Sequence, residues 1–156
     1  MADSQTQSIS GSEASSCSLC HEDGGTLVWQ NAFFRVVAID DPGYPGYVRV
    51  ILNRHVAELS DLYESEQRML MKLLVDIERC MREVIAPHKV NVASLGNYTP
   101  HQHWHIIPRW TDDPCFPDSI WSAPHARPRA SQQEARAAKA SLFLQRLPKV
   151  CAKASY

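Results

Sequence analysis

One apolar stripe constrains this chain more than any other feature. Over residues 61–86, Leu70, Leu73, Leu74, Ile77, Met81, Val84 and Ile85 recur at steps of three and four. That period describes a helix of roughly six to seven turns with a single buried face. Asp61 with Glu64 forms a capping-box signature at its start, and Pro87 ends it. On either side the pattern is that of strands. Residues 27–29 and 32–39 read as two strands joined by a tight turn at Gln30-Asn31, and 47–52 reads as a third. Residues 89–95 and 101–109 are a fourth and fifth, reversed by a turn over 96–100. A second helix is predicted over 131–147, opened by Ser131 and Glu134 and stopped by Pro148. Strands and helices do not alternate, which excludes a doubly wound sheet. The expected class is α+β: an antiparallel sheet of about five strands, one long helix packed on it, and a C-terminal helix.

The chain has 156 residues, enough for one domain and some tail. Residues 1–16, polar and without an apolar segment, read as a disordered leader rather than a secretory signal. Residues 17–122 are the expected domain and 123–156 a basic extension. From Ala123 onward seven Lys and Arg stand against the single acid Glu134, although the whole chain carries a net charge of −1. No aromatic residues interleave those charges, so a solvated helix face is expected and no nucleic-acid partner. No apolar run reaches the length of a membrane span. Five cysteines without an export signal point to a reducing compartment, the cytoplasm, and to thiols or metal ligands rather than disulfides.

The run His101-Gln102-His103-Trp104-His105-Ile106-Ile107-Pro108-Arg109 carries the chemistry. On a strand, residues two apart share a face, about 6.5–7 Å from one to the next. Three imidazoles would then line one surface, with Gln102, Trp104 and Ile106 on the other. A neutral imidazole carries one lone pair and acts as base, nucleophile or metal ligand. Two chemistries remain open: attack of one imidazole on phosphorus with a neighbour holding phosphate oxygens, or chelation of a metal by two or three rings. Three solvent-facing histidines with no task would be a costly coincidence.

This pattern, His-x-His-x-His followed by two apolar residues, resembles the histidine triad (HIT) family. The order of elements from Cys17 to Arg109 agrees: a Cys-x-x-Cys start, two strands, an Asp-bearing loop, Arg54-His55 after the third strand, a long helix, and a Gly-Asn turn. The resemblance implies a hydrolase, or nucleotidyl transferase, acting on the α-phosphate of nucleoside phosphoramidates or dinucleoside polyphosphates. His103 would be the nucleophile that forms a covalent nucleotidyl-histidine, and His105 would hold a non-bridging oxygen. The uridylyl-transferring branch carries Gln in place of His105, so the resemblance is to the hydrolase side. Asp40 stands where relatives place a ribose-binding acid, with Asp41 as rival; an Asx turn ahead of Pro42 explains either equally well. Asn97 would donate to phosphate, or occupy a left-handed turn position beside Gly96. Phe33 and Ile39 would wall a base or belong to the core. Two departures stand out. Gln102 is polar where the family has an apolar residue, and the short turn lacks the run that aids the leaving group, leaving Tyr98 or Thr99 to take its place.

Cys17 and Cys20 have zinc-binding spacing but supply only two of four ligands. By resemblance, His55 and His101 complete a structural zinc site; otherwise these are two free thiols. Catalysis itself is expected to need no cofactor, and the resemblance implies a homodimer with nucleotide as the substrate partner. His21, His88 and His125 have no evident partners. Two other readings remain: a metal-dependent hydrolase or dioxygenase with His101, His103 and His105 as ligands, and a nucleotide-binding module without turnover.

Overall fold

The period-2 segments pair into one antiparallel sheet, as the computed structural model, which describes residues 11–154, shows. Its strands are β1 (Thr26–Gln30), β2 (Phe34–Ala38), β3 (Val48–Leu52), β4 (Lys89–Ala93) and β5 (His103–Arg109), in the spatial order β1-β2-β3-β5-β4. Two short helices, α1 (Gly11–Ser16) and α2 (Ser18–His21), precede the sheet. The long helix α3 (Glu64–Val84) joins β3 to β4, and α4 (Ala130–Lys153) closes the chain.

Alternation along the strands sorts the sheet into two faces. Phe34, Val36, Val48, Val50, Leu52, Val90 and Ile106 face α3, where Leu70, Leu73, Leu74, Ile77 and Met81 complete one core. On the other face, register places Arg49 opposite His105 and Ile51 opposite His103 across β3 and β5. This second face is covered only in part. Cys17 and Leu19 pack on Val37 and Ile51 at one end, and Tyr44, Tyr47 and Ile107 cluster at the other.

Several boundaries differ from the sequence expectation for identifiable reasons. The helix expected from residue 61 begins at Glu64, after a 3₁₀ turn at Leu59–Asp61. Its cap is the Glu66 carboxylate, which accepts the Tyr63 backbone N–H at 2.9 Å and a two-pronged contact from Arg54 at 2.6 and 2.8 Å. The second helix starts at Ala130 without a side-chain cap and runs straight through Pro148. A helix-interior proline costs about 3 kcal/mol. Burial of Ala140, Phe143, Leu147 and Cys151 in the same core as α3 offsets that cost, so the helix is held by tertiary packing. The fifth strand begins at His103, not His101: the chain bends at His101, and at Gln102 the carbonyl still accepts the Leu52 N–H at 3.0 Å while the N–H turns to the Val56 carbonyl at 2.7 Å. Of the leader expected over 1–16, residues 1–10 lie outside the described residues and Gly11–Ser16 are helical.

Beyond β5 the chain is anchored by a buried ion pair. Arg109 donates to both Asp113 oxygens at 2.7 and 3.1 Å, to Asn91 Oδ1 at 2.7 Å and to the Asp118 carbonyl at 2.7 Å. Asp113 also accepts the backbone N–H groups of Trp110, Cys115 and Phe116. Burial pushes the Asp113 carboxyl up, but the Arg109 and backbone hydrogen bonds outweigh it and hold the group below its ordinary range. Removing the cation strands a carboxylate that is fully buried. Arg109→Met is expected to cost about 3–5 kcal/mol in urea denaturation, and a cost under about 1 kcal/mol would contradict this role. Because the folded-state pKa of Asp113 is depressed, its stabilisation is present above the unfolded pKa near 4 and is lost as pH falls further.

Candidate active site

The pleat of β5 turns His103 and His105 to the partly covered face, with ring centroids 5.0 Å apart. His103 Nδ1 lies 2.6 Å from the His101 carbonyl. A carbonyl only accepts, so Nδ1 carries the proton and Nε2 keeps its lone pair. Ser94 Oγ donates to the His103 carbonyl at 2.9 Å and fixes the backbone from the β4 side. His105 Nδ1 meets the Tyr47 hydroxyl. Arg49 Nε donates to that same hydroxyl at 3.4 Å, which directs the tyrosine proton toward Nδ1 and leaves Nε2 of His105 as an N–H donor. Trp121 stands edge-on to the His105 ring at 5.0 Å, half of its own surface open to solvent.

Electrostatics at the pair are set by burial and by one guanidinium. Burial lowers the pKa of both imidazoles. The hydrogen bond to the His101 carbonyl opposes this at His103, whereas the Arg49 charge adds to it at both rings and His105 falls to about 4. The pair is therefore neutral near pH 7, with an acceptor at one Nε2 and a donor at the other.

His101 departs from the row expected of three imidazoles. Its Nε2–H donates to the Leu52 carbonyl at 2.6 Å, which leaves the Nδ1 lone pair facing Cys17 Sγ at 3.4 Å and Cys20 Sγ at 3.6 Å. His55 Nδ1 lies 3.4 Å from Cys20 Sγ. All four ligand atoms fall within 4.8 Å of one another, and among the described residues no other His, Cys, Asp or Glu set does so. Zinc–sulfur and zinc–nitrogen bonds of about 2.3 and 2.0 Å place tetrahedral ligand atoms roughly 3.3–3.8 Å apart, so the donors and spacing suit such an ion. The ligand set of His101, His103 and His105 is not formed: His101 points to the cysteines and His103 Nδ1 is committed to a carbonyl.

Other expected residues are dispersed around this core. Asp40 is exposed at the end of β2, while Asp41 accepts the Gly43 N–H at 2.9 Å in an Asx turn. Gly96, at φ +80°, takes the left-handed position, leaving Asn97 exposed beside it. Thr99 is half-buried and accepts the His101 N–H at 2.8 Å through its carbonyl; the Tyr98 side chain is fully exposed. Phe33 is exposed and Ile39 half-buried. Gln102 is polar for a local reason, since its backbone and side-chain N–H groups bond the Val56 and Ala57 carbonyls, both at 2.7 Å.

Sequence reasoning missed Tyr47, Arg49, Ser94 and Trp121. For the first two a signal exists: residues 47, 49 and 51 alternate with the buried valines 48 and 50, so a tyrosine and an arginine share a face. What the chain order does not display is that β3 lies beside β5. The geometry predicts that the His105 imidazole, followed by NMR across pH, titrates near 4; a midpoint at the ordinary 6.5 would contradict the described environment.

The HIT domain model matches residues 22–112. Among curated proteins, an AP-4-A phosphorylase of Mycobacterium tuberculosis is 35% identical over 81 residues, covering 48% of this chain and 42% of the relative. An asymmetrical bis(5'-nucleosyl)-tetraphosphatase of Schizosaccharomyces pombe is 33% identical over 86 residues, covering 52% and 47%. These alignments thus span less than half the length of the curated relatives. A solved histidine triad protein from Bradyrhizobium japonicum superposes with a TM-score of 0.62 at 27% identity, covering 78% of this chain and 92% of that one. Family match, sheet order and the His103–His105 pair agree, and the chain belongs to the HIT domain family.

Proposed function

We propose that the protein hydrolyses nucleoside phosphoramidates or dinucleoside polyphosphates at the α-phosphate, through a nucleotide bonded covalently to His103. One observation carries this reading: the His101 carbonyl holds the Nδ1 proton of His103, so the Nε2 lone pair is available to phosphorus. Nε2 attacks the α-phosphorus and a nitrogen–phosphorus bond forms. The P–N or P–O bond to the leaving group breaks, and its electron pair leaves with that group. An amine leaving group takes up a proton from solvent. Water then attacks the same phosphorus and gives a proton to solvent, and the nitrogen–phosphorus bond breaks with its electron pair returning to Nε2, which releases the nucleotide and restores His103. His105, neutral and donating from Nε2, steadies a non-bridging oxygen as charge spreads over the equatorial oxygens. His101 acts through its carbonyl. Asp40, whose carboxylate is exposed while that of Asp41 serves its own turn, binds the ribose in this reading; Asn97 and Thr99 lie in the turn leading to the triad and serve the phosphates and leaving group. Incubation with a slow adenosine phosphoramidate is expected to trap an acid-labile, base-stable adduct on His103. His103→Ala is expected to lower kcat/KM by about four orders of magnitude or more. Turnover without an adduct in rapid-quench work would count against the mechanism. Running the assay with orthophosphate distinguishes water from phosphate as acceptor, since the latter yields the nucleoside diphosphate.

We assign Cys17, Cys20, His55 and His101 to a structural zinc, supported by their spacing and by the orientation of the His101 lone pair. Such an ion would tie the α1–α2 segment to the sheet beside His103. Elemental analysis is expected to find one zinc per chain, absent from Cys17→Ser/Cys20→Ser. Chelation is expected to lower the melting temperature while catalysis by the still-folded protein persists. Immediate loss of turnover on chelation, before any unfolding, would instead support a metal-dependent hydrolase.

The assembly in this reading is a homodimer, supported by the place of β4 at the edge of the sheet among the described residues, with Val92 on it and Leu95 just beyond it exposed. A cytoplasmic location is supported by five cysteines free of disulfides, and no helix among the described residues is long and apolar enough to cross a membrane.

A further inference from the structure

Three arginines, at 35, 49 and 109, lie on the sheet face that carries His103 and His105. Two are fully engaged. Arg35 donates to the carbonyls of Leu19, Glu22 and Asp23 at 2.6, 3.2 and 3.0 Å and reaches Asn53 Oδ1 at 3.4 Å. Arg109 is held by Asp113, Asn91 and the Asp118 carbonyl. Arg49 makes two long hydrogen bonds, to the Tyr47 hydroxyl at 3.4 Å and the Gly24 carbonyl at 3.5 Å, and lies over the Tyr47 ring at 5.8 Å; no carboxylate lies within ion-pair distance of it among the described residues.

A half-buried guanidinium gives up part of its hydration, and two long hydrogen bonds and a ring contact, with no ion pair, replace it only in part. Arg49 sits directly opposite His105 in register, one pleat from the residue opposite His103. Burial, with the Arg49 charge adding to it, also works against protonation of His105, so that ring brings no cation of its own to an anionic substrate. A flat guanidinium with unused donors matches two oxygens of a phosphate.

We propose that Arg49 is the phosphate-binding cation of this site, its guanidinium taking anionic oxygens of the substrate's phosphate beside His105. This rests on the nucleotide reading above and deepens it, giving the triad a charged partner supplied by the neighbouring strand.

The test compares AMP with adenosine on the full-length protein by calorimetry, in wild type and Arg49→Met. Should Arg49→Met not fold, Arg49→Gln, which keeps a donor over Tyr47 without the charge, takes its place. The expected result is AMP affinity lowered about ten- to a hundredfold, with adenosine affinity changed less than about twofold. Unchanged AMP affinity overturns the proposal, as does an equal loss for AMP and adenosine, which would mark Arg49 as structural. Phosphoramidate turnover by wild type is measured alongside. Arg49-dependent AMP binding without turnover would remove the catalytic reading and leave the phosphate site standing, whereas turnover with Arg49-independent binding would do the reverse.

Discussion

Two hydrogen bonds to backbone carbonyls decide what the histidines can be. The Leu52 carbonyl takes the Nε2 proton of His101 and the His101 carbonyl takes the Nδ1 proton of His103, both at 2.6 Å. Each carbonyl selects a tautomer, and the two selections are opposite. One ring is left with its lone pair at Nδ1, facing two thiols; the next is left with its lone pair at Nε2. A single residue thereby takes part in the cysteine cluster by its side chain and supports the proposed nucleophile by its backbone. The bend at His101, just ahead of β5, makes that double use possible.

That arrangement needs its surroundings held still. Arg35 closes the carbonyl ends of the α2 segment and so keeps Cys17 and Cys20 against the sheet. Arg109 and Asp113 hold the segment beyond β5, and with it Trp121 against His105. Both clamps spend buried charge on backbone carbonyls and amides rather than on surface pairs, and buried hydrogen-bonded charge is where removing one partner is most costly. Arg49 lies between the clamps with its donors mostly unspent, which is why a third guanidinium on the same face reads as part of the chemistry and not of the scaffold.

Much of this was legible in residue order. The stripe from Leu70 to Ile85 and the alternation in 47–52 and 101–109 are signals of period, and period survives in sequence because it states which face is buried. The resemblance implies the Cys17, Cys20, His55 and His101 set, and the fold brings those four side chains together. What was not legible depends on neighbours distant in the chain. Pro148 reads as a stop, yet Phe143 and Leu147 hold α4 together through packing on α3 that no local pattern reports. Tyr47 and Arg49 sit some 55 residues before the histidines they adjoin, and only strand order reveals the contact. Asp40 and Asp41 differ by a turn geometry that identical side chains do not announce.

On the proposed mechanism phosphorus is attacked twice, first by His103 and then by water. Each in-line attack inverts the configuration at phosphorus, so two attacks restore it. The direct measurement is hydrolysis, in isotopically labelled water, of an adenosine phosphorothioate made chiral at the α-phosphorus, with the product's configuration read by ³¹P NMR. Two displacements through His103 predict net retention. Net inversion would mean that water attacks directly, and would contradict the account.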